Sequence, residues 1–255
     1  MSFDKVADLY DSIRPGYPDA LFKDTIDTCQ LCPQSRILEI GCGSGQATAK
    51  FAEIGCAITG IEVGENLARI AAKKLSTFTN VEIVPIAFEL WEHRGRKFDL
   101  AISATAFHWI TPEAAYTKTA KVLSDGGHLA IFCNNHVRRN EGFFESVQSI
   151  YDRYRPPAVP SSLNGESAPA QRNQALEQSR DELFQHRFTR KYPWSVSYRA
   201  EEYTQLLLTY SDHFVLPEET RSRLLNDIRN AIVTDYGGTI IKHYETLLDI
   251  WAKKG

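Results

Sequence analysis

Arg36-Ile-Leu-Glu-Ile-Gly-Cys-Gly-Ser-Gly-Gln46 decides the fold. Three apolar residues, Ile37, Leu38 and Ile40, surround one carboxylate, Glu39, and a short apolar run of this kind reads as a buried parallel strand. Gly41, Gly43 and Gly45 follow at alternate positions. They predict a sharp turn in which a ligand lies against bare backbone. Residues 46–53 have helical composition. Strand, glycine turn and helix together form the opening of a nucleotide site in an open α/β sheet.

Upstream, Val6, Leu9, Tyr10 and Ile13 suit one face of a short helix that Pro15 and Gly16 end, and a second helix is expected near 18–28. Cys29-Gln-Leu-Cys32 has half the ligand set of a zinc site. No second pair at suitable spacing accompanies it, so these cysteines read as structural and no metal is expected. Downstream, strands are expected at 56–62, 81–86, 97–103 and 129–133. Helices are expected at 66–75 and 112–123, and a turn at Asp125-Gly-Gly127. This alternation predicts a largely parallel sheet with right-handed crossovers.

The second half is less regular. Residues 143–154 suit a helix, and 156–174 hold four prolines and little apolar material. The whole of 134–180 reads as a lid or substrate-loop insertion within a single domain of 1–255. A strand is expected around 188–192, helices over 200–210 and 217–233, and a closing strand over 239–251. Arg138, Arg139, Arg153 and Arg155 read either as contacts for an acidic substrate or as solvated surface charge.

Composition narrows the function. A hydrophobic share of 43% and a charged share of 24% are those of a soluble globule. The net charge of −3 supplies no basic field for nucleic acid or anionic lipid. No apolar run approaches the roughly 20 residues that span a bilayer. The first residues lack the basic and apolar regions of a signal peptide. Five scattered cysteines argue against a disulfide framework. The expectation is a cytoplasmic monomer or homodimer acting on a small molecule, with no nucleic acid or membrane partner.

The glycine spacing selects among nucleotides. It is G-x-G-x-G, whereas the dinucleotide fingerprint is G-x-G-x-x-G. A carboxylate at Glu39 would also repel a pyrophosphate near the helix N-terminus, and would suit a ligand with an amine or sulfonium. On Leu38-Glu-Ile-Gly-Cys-Gly-Ser-Gly45, Gly60-Ile-Glu62, Phe98-Asp-Leu-Ala-Ile-Ser103 and Leu123-Ser-Asp-Gly-Gly127, residues 1–135 resemble the class I S-adenosylmethionine-dependent methyltransferases. Arg14-Pro-Gly-Tyr-Pro18, with Tyr10 before it, and Ala106-Phe-His-Trp109 resemble the small-molecule branch, methyltransferase type 11, related to trans-aconitate and biotin- or quinone-pathway enzymes.

The resemblance implies a Rossmann-like α/β fold with helices on both faces. Its seven-stranded sheet has order 3-2-1-4-5-7-6 with the last strand antiparallel. S-adenosyl-L-methionine is the implied cofactor. Gly41, Gly43 and Gly45 would admit its methionine part, with Glu39 organising the turn or the amino group. Glu62 would accept hydrogen bonds from the ribose hydroxyls, and Val63 would pack on the adenine. Ala87 and Phe88 would cradle the adenine where many relatives carry an aspartate. Ser103 and Ala104, with Thr105 and Ala106 after them, would line the sulfonium end. Tyr10, Arg14 and Tyr17 would close over the cofactor, Arg14 meeting its carboxylate. His108 is the candidate base or substrate contact and Trp109 a substrate contact.

The implied reaction is methyl transfer to a small-molecule carboxylate or hydroxyl, in which positioning does most of the work and a base is needed only for a protonated acceptor. Three alternatives stay open: a non-catalytic S-adenosylmethionine-binding protein, a nicotinamide-dependent oxidoreductase, and a nucleic-acid or amino-group methyltransferase. The last commonly has an Asn/Asp-Pro-Pro-aromatic motif where this chain has Ser-Ala-Thr-Ala.

Overall fold

Short apolar strands alternating with amphipathic helices build a seven-stranded mixed sheet in a computed structural model that describes residues 3–137, 142–154 and 178–255. In chain order the elements are α1 (Ala7–Ile13), α2 (Asp19–Cys29), β1 (Arg36–Ile40), α3 (Gln46–Ala52), β2 (Ala57–Glu62), α4 (Glu65–Lys74), β3 (Val81–Pro85), β4 (Phe98–Ala104), α5 (Pro112–Val122), β5 (Leu123–His136), α6 (Phe143–Tyr154), β6 (Phe184–Arg199), α7 (Ala200–Leu208), α8 (Ser211–Phe214), α9 (Glu218–Asp235) and β7 (Thr239–Lys253). Phe107–Trp109 forms a single 3-10 turn.

The strand order is β3-β2-β1-β4-β5-β7-β6, as the resemblance implies. β1 lies between β2 and β4, parallel to both, with Glu39 opposite Gly60 and Ile102. The order reverses between β1 and β4, which is where an open α/β sheet offers a crevice beyond its strand ends. Successive residues of β1 face opposite sides, as strand geometry requires. Ile37 packs with Phe22 of α2 and Phe51 of α3, whereas Leu38 and Ile40 pack with Ala115 and Tyr116 of α5. Helices therefore cover both faces. β6 is an edge strand, which is how it tolerates Pro193 in its middle.

The chain divides into two compact units. A glycine-turn unit comprises Gly16–Asn134, Ser167–Tyr192 and Thr246–Gly255; a helical unit comprises Met1–Pro15, Asn135–Glu166 and Pro193–Glu245. The core of the helical unit is formed by Phe143, Val147 and Tyr151 of α6, Tyr203 and Leu206 of α7, and Leu224, Ile228 and Ile232 of α9. No helix of the described residues is long and apolar enough to cross a membrane.

Several boundaries differ from the sequence reading. β5 starts at Leu123, directly after α5, and Asp125-Gly-Gly127 is a bulge within it. Leu123 pairs with Phe98, and the next paired residue is His128, opposite Leu100. A turn signal inside a strand pattern marks such a bulge. β6 runs from Phe184 to Arg199, far beyond the five residues expected, because its polar face hides the alternation. Within 134–180, Asn134–His136 end β5 and Phe143–Tyr154 is a helix with a buried face. The proline-rich 156–174 stretch lies outside the described residues, as do Arg138, Arg139 and Arg155.

The bulge yields a test. A Cβ on Gly127 would stand 2.9 Å from the Ser124 carbonyl oxygen and 3.1 Å from that of Phe98, both fixed backbone atoms. Gly127→Ala is expected to cost roughly 1–3 kcal/mol by overpacking, seen as a lower urea midpoint with an unchanged m-value. Wild-type stability in that variant would mean the bulge is not as described.

Candidate functional site

The three glycines of the turn have three different reasons to be glycine. All take a left-handed φ: +72° at Gly41, +56° at Gly43 and +81° at Gly45. A Cβ on Gly41 would stand 2.5 Å from the Ala106 Cβ, and one on Gly45 2.8 Å from the Leu75 Cδ1. These two positions are closed by packing. A Cβ on Gly43 would meet nothing within 4 Å. Gly43 alone combines the turn geometry with open space, so it is the point where a ligand can approach the backbone.

Glu62, the last residue of β2, fixes this turn. Its Oε2 accepts the Gly43 N–H at 2.9 Å and its Oε1 accepts the Gly64 N–H at 2.8 Å. The carboxylate is buried, with 7% of the residue exposed. Both N–H groups of Gly41 and Cys42 donate to the Ile61 carbonyl, at 2.8 and 3.0 Å, so β2 holds the turn through two successive residues. Val63 follows and is 45% exposed, an apolar surface beside the carboxylate. Ala87, half-buried after β3, receives the Leu90 and Trp91 N–H groups on its carbonyl.

β4 ends at the opposite side of the switch point. Thr105 follows it with φ +56°, a left-handed conformation that a β-branched residue rarely adopts. Its N–H donates to the Phe132 carbonyl at 2.8 Å, and its hydroxyl lies 2.9 Å from the Tyr17 hydroxyl. The Tyr17 ring stands edge-on to Phe132 at 4.9 Å. Asn134 supports this arrangement, donating to the Gly16 carbonyl and accepting from Thr246. His108 and Trp109 lie on the next turn, both exposed, with rings 5.0 Å apart. The surrounding protein lowers the His108 pKa below the ordinary histidine value by desolvation, which favours the neutral imidazole, a proton acceptor.

Four residues take roles other than those expected. Glu39 is 1% exposed and lies within the sheet, where Thr48 of α3 donates to it at 2.5 Å. Burial raises its pKa to about 8, so near neutrality it is largely protonated and is not the charged wall that the spacing argument assumed. Ser103 is fully buried and donates to the Ile40 carbonyl at 2.8 Å, tying β4 to β1. Phe88 is 4% exposed and stacks on Trp91 in the core. Arg14 belongs with Tyr10 to the helical unit, where its Nε and Nη2 donate to the Thr209 hydroxyl and carbonyl at 2.8 and 2.6 Å. Ala104 is half-buried at the end of β4. Thr105 lies within the 103–106 stretch expected at the sulfonium end, but no residue-type signal marks its left-handed backbone. Among the described residues no cluster of side chains suits a metal ion.

A glycine turn held by a strand-end carboxylate, at the switch point of a 3-2-1-4-5-7-6 sheet, defines the class I methyltransferase architecture. Residues 37–127 match the family model described as a methyltransferase domain, and the sheet has the fold of that class. An uncharacterized methyltransferase-like protein of Schizosaccharomyces pombe is 28% identical over 236 residues, which cover 89% of this chain and 85% of the relative. Among solved structures, a putative type II methyltransferase from Anaeromyxobacter dehalogenans superimposes with a TM-score of 0.61 at 21% identity, covering 94% of this chain and 97% of that one. A Haemonchus contortus phosphoethanolamine N-methyltransferase, solved with phosphomonomethylethanolamine and S-adenosylhomocysteine, gives 0.55 at 13% identity over 99% of this chain and 58% of that one.

Glu39 makes stability pH-dependent. Its folded pKa of about 8 lies above the ordinary 4.5, so its contribution is full below about pH 4.5 and is lost as pH rises through 8. Glu39→Gln keeps the shape without the titration. Denaturation between pH 5 and 8 should show wild type losing on the order of 3 kcal/mol that the variant retains. Parallel curves would refute the buried neutral carboxyl.

Proposed function

We propose that this chain transfers a methyl group from S-adenosylmethionine to a small-molecule acceptor bearing a hydroxyl or carboxylate. The observation that carries the reading is the cradle of Gly43 and Glu62: open backbone beside a carboxylate already oriented by two N–H donors. The fit to this cofactor is chemical. A carboxylate is an acceptor with two oxygens, as a pair of ribose hydroxyls requires. Val63 offers the neighbouring apolar surface for a purine, and Ala87, small and half-buried, leaves room beside it. Gly41 and Gly45 shape the turn, and Tyr17 with Thr105 sets the end of β4 facing it. The S-adenosylhomocysteine in the Haemonchus neighbour supports this choice of cofactor.

Bound there, S-adenosylmethionine supplies a methyl made electrophilic by its sulfonium. The chain's contribution is to hold the acceptor in line with that carbon and to exclude water. A carboxylate acceptor is ionised near neutrality and needs only positioning. A hydroxyl acceptor must lose a proton, and neutral His108 beyond β4 is the group we assign to take it. The match to the methyltransferase domain favours this reading over a nicotinamide enzyme. The relation to trans-aconitate-type enzymes, the cytoplasmic location and the monomeric or homodimeric state are parts of the same proposal.

Calorimetric titration tests the cofactor. S-adenosylmethionine and its demethylated product should bind, and NAD should not. Glu62→Ala should weaken both by tenfold or more, since it removes a ribose acceptor and unties the turn; an unchanged dissociation constant would remove Glu62 from the site. Gly43→Ala should fold, with about 1–2 kcal/mol of backbone strain, yet block the cofactor. His108→Ala should leave cofactor affinity within twofold and lower turnover of hydroxyl acceptors by about 10²–10⁴. Loss of cofactor binding in that variant would overturn its assignment as the base.

A further inference from the structure

Cys29 and Cys32 share the spacing of Cys-x-x-Cys redox motifs, yet the fold puts them in different surroundings. α2 ends at Cys29, and Gln30 follows with a left-handed φ of +51°, turning the chain out of the helix. Cys29 packs against the core around Phe22 and Ile37, and burial pushes its thiol up to about 12. Cys32 is exposed. It opens a turn closed by the Ser35 N–H, which donates to the Cys32 carbonyl at 2.9 Å.

A third cysteine meets that turn. Cys56, buried just before β2, donates its S–H to the same Cys32 carbonyl at 3.1 Å. The approach is fixed on both sides. The Ala57 N–H donates to the Ser35 carbonyl at 3.1 Å, Asn80 donates to the Cys56 carbonyl at 2.6 Å, and a Cβ on Gly55 would stand 3.5 Å from that of Pro33. A carbonyl oxygen is about 2.4 Å from its own Cα, so the Cys56 sulfur lies within about 5.5 Å of the Cys32 Cα. A rotation of the exposed Cys32 side chain, with a small shift of its turn, is what an S–S bond then requires. The two thiols are chemically unequal. The Ser35 hydroxyl, 3.6 Å from the Cys32 sulfur, and the Gln34 N–H hold the Cys32 thiol below the ordinary cysteine value. Burial holds Cys56 above it, and the charge of Cys32 adds to the rise. An exposed thiolate beside a buried, protonated thiol is the arrangement of an attacking and a resolving cysteine.

We infer that Cys32 is a modification site for hydrogen peroxide, and that Cys56 resolves the product into a Cys32–Cys56 disulfide. The Cys32 thiolate attacks one peroxide oxygen; the S–O bond forms, the O–O bond breaks, and the departing hydroxide takes up a proton to become water. The sulfur is oxidised by two electrons to a sulfenic acid, and the peroxide is reduced. The Cys56 thiol then attacks the Cys32 sulfur and gives up its proton to the sulfenic oxygen. The S–S bond forms, the S–O bond breaks and a second water leaves. The closed loop contains β1, the glycine turn and α3. Both cysteines precede their strands, so they sit at the ends of β1 and β2 opposite the crevice beyond the strands. The pair therefore works whether or not the chain transfers a methyl group.

Peptide mass spectrometry of the full chain tests it, after treatment with equimolar hydrogen peroxide under native conditions and alkylation of the remaining thiols. The chain should lose the mass of two hydrogens and protect two of its five thiols from alkylation. It should yield a peptide cross-linked through Cys32 and Cys56 that dithiothreitol reverses. Cys56→Ala should abolish the cross-link and leave Cys32 as a sulfenic acid, giving several-fold more dimedone adduct than wild type. Cys32→Ser should abolish both products, and Cys29→Ser should change neither. A Cys29–Cys32 cross-link, a disulfide between two chains, a Cys32 that resists peroxide, or equal dimedone capture in wild type and a folded Cys56→Ala chain would each overturn the pair. The wild-type cross-link decides the matter by itself should Cys56→Ala fail to fold.

Discussion

The structure depends most on one carboxylate accepting two backbone donors. Glu62 terminates β2 and reaches across to Gly43 and Gly64. Two charge-assisted hydrogen bonds in a buried setting are stronger than neutral ones, and they fix both oxygens in direction. The first glycine turn and the start of α4 are thus referenced to the same atom pair. Ile61 adds to this by accepting the Gly41 and Cys42 N–H groups. The ligand-facing turn is held by the neighbouring strand, and its own residues contribute mainly permission to bend.

The two glutamates of this region show how burial assigns roles to one residue type. Burial raises the Glu39 pKa, and the negative charge of Glu62 adds to the rise. Two ionised carboxylates so placed would repel, and the more deeply buried one holds its proton. Thr48 provides its hydrogen bond and links β1 to α3. Glu39 therefore acts as an internal strut, and Glu62 remains the acceptor that a ligand meets.

Much of the fold was legible because its signals are local. Apolar runs and turn residues placed the strands and helices of the first half within a residue or two, with β5 the exception. β5 and β6 were undercut because their alternation is broken by a bulge or carried by polar residues on an edge. The candidate site was legible where backbone chemistry dictates residue type, as at Gly43 and Glu62. It was illegible where side-chain direction decides, since spacing cannot say whether Ser103 and Phe88 face a crevice or the core. The Cys29–Cys32 spacing was equally visible, but the thiol that meets Cys32 is Cys56, and only the pairing of β1 with β2 brings it there.

Thr105 carries a separate consequence. A β-branched residue at φ +56° costs on the order of 1–3 kcal/mol, so its own conformational preferences would unwind the chain beyond β4. Two tethers prevent that, the Phe132 carbonyl and the Tyr17 hydroxyl. The backbone there resembles a loaded spring with its catch on another strand and on the segment before α2. Its shape reports the integrity of distant packing, and damage at Tyr17 or β5 would be felt at the strand end as a relaxed loop before any loss of the sheet itself.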